Sequence, residues 1–153
     1  VNSNRPWQCI NLHCRGFFSF GIRREPDIGC EAAGLDLISM IAPTSHDRIK
    51  MIAAEVKGFV YCVSSLGVTG VRSEITTDIG AMVRLVKETN PDIPCAVGFG
   101  ISTPAQAEKM AAVSDGAIVG SAIVRLCEKY GSEAAGPIGE YVRSMKAAVL
   151  QKD

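Results

Sequence analysis

The sequence predicts an α/β fold on a parallel sheet, and three observations carry that expectation. From Leu35 onward, short apolar runs alternate with stretches whose apolar residues recur at helical spacing, in the order β-α-β-α-β-α-β-α. The short runs are apolar throughout, as in strands covered on both faces. Glycine turns stand directly behind two of them, at Gly98–Gly100 and at Gly120. Repeated βα units imply parallel strands, right-handed crossovers and helices outside. Four such units make half of an eightfold barrel or most of an open doubly wound sheet, and the pattern alone does not separate the two.

In chain order, Val1–Cys30 stands apart: it holds Trp7, Phe17, Phe18 and Phe20 but no sustained repeat of either period, so it reads as irregular with a short strand near Gly16–Ile22. Leu35–Ala42 is the first buried strand, broken by Pro43-Thr44-Ser45, which offers a helix cap. Ile49, Ile52, Ala53 and Val56 give the next helix its apolar face, and Lys57 with Gly58 is expected to end it. Phe59–Val63 is the second strand. The loop Ser64–Thr77 behind it exceeds the usual ~2–6 residues of α/β connections, as lids and binding loops do. Asp78 opens a helix with Ile79, Met82, Val83 and Val86 inward, stopped by Asn90-Pro91. Ile93–Val97 is the third strand. Thr103-Pro104-Ala105-Gln106 is a capping box with proline at the first helical position, and Ala107, Met110 and Ala111 face inward behind it. A short strand at Ala117–Val119 leads to Gly120-Ser121 and a helix to about Lys129. The last helix starts at Gly136-Pro137 with Ile138, Tyr141, Val142, Met145 and Val149 on one face.

Composition narrows the function. The 153 residues suffice for one domain with a sizeable core, and 16 basic residues balance 16 acidic ones. No basic excess points to nucleic acid, and no apolar run approaches the roughly 20 residues of a membrane helix. The start, VNSNRPWQ, lacks the pattern of a signal peptide, so a cytoplasmic protein is expected; it also lacks an initiating Met, which suggests a processed, trimmed or partial chain. Of six cysteines, Cys62, Cys95 and Cys127 sit in apolar runs and read as reduced, small hydrophobes. No CxxC pair occurs, and no metal site is expected.

The glycine turns carry the chemistry. A missing Cβ lets an anionic oxygen approach the backbone, and a helix N-terminus adds N–H donors and positive potential. Gly98-Phe99-Gly100 lacks the third glycine of a dinucleotide fingerprint, and taken alone it is equally a plain tight turn. The second turn, Gly120-Ser121, with a short helix behind it, matches the phosphate site that barrels build after their last two strands, which favours the barrel. Tyr61 alternates with core residues and is a candidate for the barrel mouth. No carboxylate suited to acid/base work follows any strand.

Three stretches in this order and spacing, Tyr61–Gly70 (YCVSSLGVTG), Val97–Ser102 (VGFGIS) and Gly116–Ile123 (GAIVGSAI), resemble the tryptophan synthase α chain, and Leu35–Ser45 (LDLISMIAPTS) fits the preceding unit. The resemblance covers about Ala32 to the C-terminus, roughly four-fifths of the chain. It implies the C-terminal half of a (β/α)8 TIM barrel. It also implies a lyase of tryptophan biosynthesis that cleaves indole-3-glycerol phosphate to indole and glyceraldehyde 3-phosphate. Gly70, Phe99, Gly100, Gly120 and Ser121 then correspond to the phosphate-binding set, Tyr61 to the tyrosine beside the substrate, and Thr69 to the loop threonine that closes over the catalytic aspartate. The implied partner is a β chain in an αββα complex. Pyridoxal phosphate belongs to that partner, and no cofactor is expected on this chain.

The resemblance also places the catalytic glutamate and aspartate in the first half of the barrel, which these residues do not match. Residues 1–31 are expected to be an unmatched segment foreign to the fold, 32–153 a partial barrel domain, and the whole a truncated or frame-disrupted product inactive alone. Ser65 stands where some relatives carry arginine. A non-catalytic phosphate-binding or β-chain-contacting module is the alternative. Unpaired sheet edges in a half barrel imply self-association.

Overall fold

The computed structural model describes residues 16–19, 36–64, 78–98 and 100–150. Five strands form one parallel sheet in chain order: β1 (Gly16–Ser19), β2 (Asp36–Ile41), β3 (Val60–Val63), β4 (Cys95–Gly98) and β5 (Gly116–Ala117). In register, Gly16 stands beside Asp36, Met40 beside Tyr61, Tyr61 beside Ala96, and Ala96 beside Gly116. The helices are α1 (Ile49–Glu55), entered through a 3-10 turn at Pro43–Arg48, then α2 (Ile79–Thr89), α3 (Pro104–Val113), α4 (Ser121–Tyr130) and α5 (Ala135–Leu150).

Strand order decides between the two architectures that the pattern leaves open. A doubly wound sheet reverses its order at a switch point and so sends helices to both faces. Here the order runs β1 to β5 without reversal, and right-handed crossovers then return along one face. The helices accordingly pack in sequence, α1 on α2, α2 on α3, and α3 on α5. This is the wall of a barrel.

The core lies between that wall and its helices. Ile41, Cys62 and Val97 stand side by side in register and are fully buried. They meet Ile49 and Ile52 of α1, Ile79 and Val86 of α2, Ala107 and Met110 of α3, and Met145 and Val149 of α5. Each buried Ile or Val contributes about 1.5–3 kcal/mol relative to exposure. Cys62 and Cys95 are part of this layer, and the Cys62 thiol is pushed well above the usual range by its hydrogen bond with Cys95 and then by burial. Both behave as the small hydrophobes the sequence suggests.

Several expectations need correction. The expected strand near Gly16–Ile22 forms at Gly16–Ser19 and adds a fifth strand, so this part of the segment read as foreign lies in the sheet; the rest of 1–31 lies outside the described residues. α1 ends at Glu55, because Val56 turns extended at ψ 141°; Gly58, at φ +75°, serves the turn into β3 rather than the helix end. Ser45 does not cap a helix: its Oγ accepts from the Ala42 N–H at 3.2 Å, closing the turn behind β2. β5 pairs only over Gly116–Ala117, not Ala117–Val119. Cys127 is exposed, since α4 buries little besides Ala122. Val142 is exposed as well, because the line buried on α5 is Tyr141, Met145 and Val149, spaced by four, and Val142 falls on its flank.

The N-terminal ends of the strands are fastened by a charged clamp. Lys87, in the last turn of α2, donates to the Ile93 carbonyl at 2.8 Å and pairs with Asp115 Oδ2 at 2.8 Å. The same oxygen accepts from the Cys95 N–H at 2.9 Å, while the Asp115 N–H donates to the Cys95 carbonyl at 2.9 Å. Helix α2 and the starts of β4 and β5 therefore share one carboxylate. Because Asp115 is only 13% exposed, removing its charge strands a half-buried ammonium. Asp115→Ala is expected to lower the unfolding free energy by about 2–4 kcal/mol, measured as a shifted urea midpoint at unchanged slope.

Candidate functional site

The C-terminal strand ends meet at the opposite rim. Ser64 N–H donates to the Gly98 carbonyl at 3.0 Å, and Ile118 N–H to the Val97 carbonyl at 2.7 Å, so the chain leaves β3, β4 and β5 from adjacent points. Both glycine turns spring from this rim, the first behind β4 and the second behind β5.

Tyr61 lies on the sheet face turned away from the helices, beside Met40 and Ala96. Its ring crosses the backbone of Gly98, where an added Cβ would come within 3.0 Å of Oη, Cζ and Cε1. Glycine at this strand end is thus set by the tyrosine two positions away in register, and the ring is aimed at the start of the turn.

The turn itself is built by its neighbours. Gly100 has φ +77°, the left-handed region that favours glycine, and Ile101 anchors the turn in the core. Gln106 Oε1 accepts from the Ser102 N–H at 2.9 Å and the Thr103 N–H at 3.1 Å, and the Gln106 N–H donates to Thr103 Oγ1 at 3.3 Å. This is the capping box read from the sequence, with the Ser102 N–H and, at 3.3 Å, the Ser102 hydroxyl as further donors to Gln106 Oε1. Tyr141, from α5, donates its hydroxyl to the Ser102 carbonyl at 2.9 Å. Burial pushes the Tyr141 phenol up, against the opposing charge of Arg125.

The second turn differs. Gly120 precedes α4 with no side-chain cap, and Ile123 and Val124 N–H both donate to its carbonyl. The amides of Ser121 and Ala122 head the helix, where no intrahelical acceptor exists. Among the described residues, a Cβ on Gly120 would meet nothing within 4 Å. One helix start at this rim is capped by its own side chains, whereas the other has no side-chain cap. Chemically this suits an anion, held by N–H groups and the positive end of α4.

Of the residues singled out from the sequence, Tyr61, Gly100, Gly120 and Ser121 fall at this rim. Thr69, Gly70 and Phe99 lie outside the described residues, as does the loop around them. Sequence reading missed two features. In the sequence Gly98 reads only as part of a turn and Tyr141 only as one of an apolar stripe, where a hydroxyl is the available signal. Among the described residues no cluster of His, Cys, Asp or Glu could hold a metal, and no helix is long and apolar enough to cross a membrane.

Gly98→Ala is expected to cost about 1–3 kcal/mol in a denaturant titration, through collision with the ring. The cost should shrink in a Tyr61→Ala background, and an undiminished cost there would show that the ring is not the obstacle.

Comparison with known proteins agrees with this geometry. The family model described as tryptophan synthase alpha chain matches residues 26–149, beginning inside the segment set apart by its pattern. The tryptophan synthase alpha chain of Lactiplantibacillus plantarum is 42% identical over 153 residues, covering 93% of this chain and 55% of the relative. That of Shouchella clausii is 48% identical over 125 residues, covering 76% of this chain and 46% of the relative. Among solved structures, Mycobacterium tuberculosis tryptophan synthase superposes with TM-score 0.65 at 31% identity, over 89% of this chain and 52% of that one. The Pyrococcus furiosus tryptophan synthase a2b2 complex gives TM-score 0.62 at 30% identity, over 76% of this chain and 48% of that one. The chain spans about half the length of the curated relatives it matches. With a parallel barrel wall, two glycine turns on one rim and a family match over most of its residues, this chain belongs to the tryptophan synthase alpha chain family.

Proposed function

We propose that this chain supplies the phosphate-holding end of a site for indole-3-glycerol phosphate in tryptophan biosynthesis. The observation that carries the proposal is the start of α4 at Gly120-Ser121, which has no side-chain cap and, among the described residues, nothing within 4 Å of a Cβ on Gly120, on the same rim as the Gly100 turn. In this reading the Ser121 and Ala122 amides, the Ser121 hydroxyl and the Gly100 turn hold the phosphate, with Phe99 and Gly70 completing the set. Tyr61 lies beside the indole-glycerol portion, and Thr69 belongs to the loop that closes over the catalytic aspartate of the family's full site. The relative from P. furiosus is described as an a2b2 complex, which supports a β-chain partner here, with pyridoxal phosphate on that partner. The proposed place of action is the cytoplasm.

Cleavage of the carbon–carbon bond needs an acid and a base at the other end of the substrate. Among the described residues, the carboxylates nearest the rim offer neither. Asp47 is exposed in the turn behind β2, and Asp78 caps α2 through the Ala81 N–H at 2.8 Å while facing Arg84 at 3.7 Å. The proposal is therefore substrate phosphate binding without turnover by this chain alone.

Two measurements test it. Incubated with indole-3-glycerol phosphate, with and without a β chain, this chain is expected to release no indole, and release would overturn the non-catalytic part. Ser121→Asp puts a negative charge where the phosphate sits while favouring the helix start. It is expected to raise the phosphate Kd by more than about tenfold without lowering the thermal midpoint. Unchanged affinity would overturn the binding site.

A further inference from the structure

We propose that Tyr141 is a positioning residue for the phosphate turn, acting from the last helix on the backbone behind β4; this rests on the phosphate reading above. The Ser102 peptide is gripped on both sides. Its N–H donates to Gln106 Oε1 at 2.9 Å, and its carbonyl accepts from the Tyr141 hydroxyl at 2.9 Å, across 39 residues of chain. The first contact is local and travels with α3. The second comes from a separate element, so it fixes the turn relative to the barrel wall.

The physical consequence is electrostatic as well as mechanical. A carbonyl oxygen carries partial negative charge, and a free one at this rim would repel an anion. The phenol neutralises it and holds it aside, leaving the preceding peptides, around Gly100 at φ +77°, to present N–H groups. Tyr141 is half-buried, and Met145 and Val149, one and two turns on, sit in the core, so the phenol is held by a helix that cannot easily slide. Helix α4 packs against α5 as well, and its Arg125 opposes the upward push of burial on the phenol.

The test is titration of the full chain with inorganic phosphate, alongside Tyr141→Phe and Ser144→Ala. Phenylalanine keeps the ring and deletes the donor. Ser144→Ala removes a hydroxyl that donates to the Tyr141 carbonyl at 2.7 Å and so alters the backbone at the same residue of α5 without touching the turn. Tyr141→Phe is expected to raise the phosphate Kd about fivefold, the weight of one hydrogen bond, with Ser144→Ala unchanged. Equal affinity of Tyr141→Phe and the unsubstituted chain would overturn the positioning role while leaving the phosphate site standing. An equal loss in Ser144→Ala would overturn it too, since any change in α5 beside Tyr141 would then suffice. No binding by the unsubstituted chain would overturn the phosphate reading itself and this inference with it. Should Tyr141→Phe fail to fold, amide exchange in the unsubstituted chain decides: phosphate should slow exchange at Ile101 and Ser102, and unaltered exchange there would refute the coupling.

Discussion

Parallel pairing in strict chain order is the constraint from which the rest follows. Each strand lies beside the one before it and runs the same way, so every crossover must return along one face of the sheet. That single geometric demand puts all the helices on one side, buries the Ile41–Cys62–Val97 row beneath them, and leaves the Tyr61 face turned inward. It also sends every βα turn to the same rim. Two glycine turns separated by about twenty residues in sequence become neighbours because β4 and β5 are neighbours.

The two ends of the sheet are used differently. At the N-terminal ends, Asp115 and Lys87 knit α2, β4 and β5 through charged and backbone hydrogen bonds. At the C-terminal ends, the α3 start closes on itself through Thr103 and Gln106 while the α4 start does not. The charged clamp sits where the chain enters the strands and the glycine turns where it leaves them, the end at which barrels generally carry their sites. The contrast between the two helix starts matters more than the glycines themselves. Glycine permits close approach, but only an unspent N–H attracts an anion.

Much of this was legible in the residues. The inward faces of α2 and α3 follow from helical spacing alone, because Ile79, Met82, Val83, Val86, Ala107, Met110 and Ala111 repeat with the period of the helix that buries them. The capping box was legible because its partners are three residues apart. Local patterns failed where the deciding neighbour is distant. Cys127 and Val142 are apolar in sequence yet exposed, since what covers a side chain depends on which helix packs beside it. β5 is shorter than its apolar run because ladder hydrogen bonds, not composition, define a strand.

By itself, the sequence determined the alternation of strands and helices, the caps, the glycine turns and the family resemblance, all of which rest on contacts within a few residues or on motif order. Only the tertiary structure decided that the strands stand in unbroken order, which makes a barrel wall rather than a doubly wound sheet. Only it joined Tyr61 to Gly98, Asp115 to Cys95 and Tyr141 to Ser102. Those pairs are far apart along the chain, and no local propensity encodes them; they exist because parallel pairing brings their elements to the same end of the sheet.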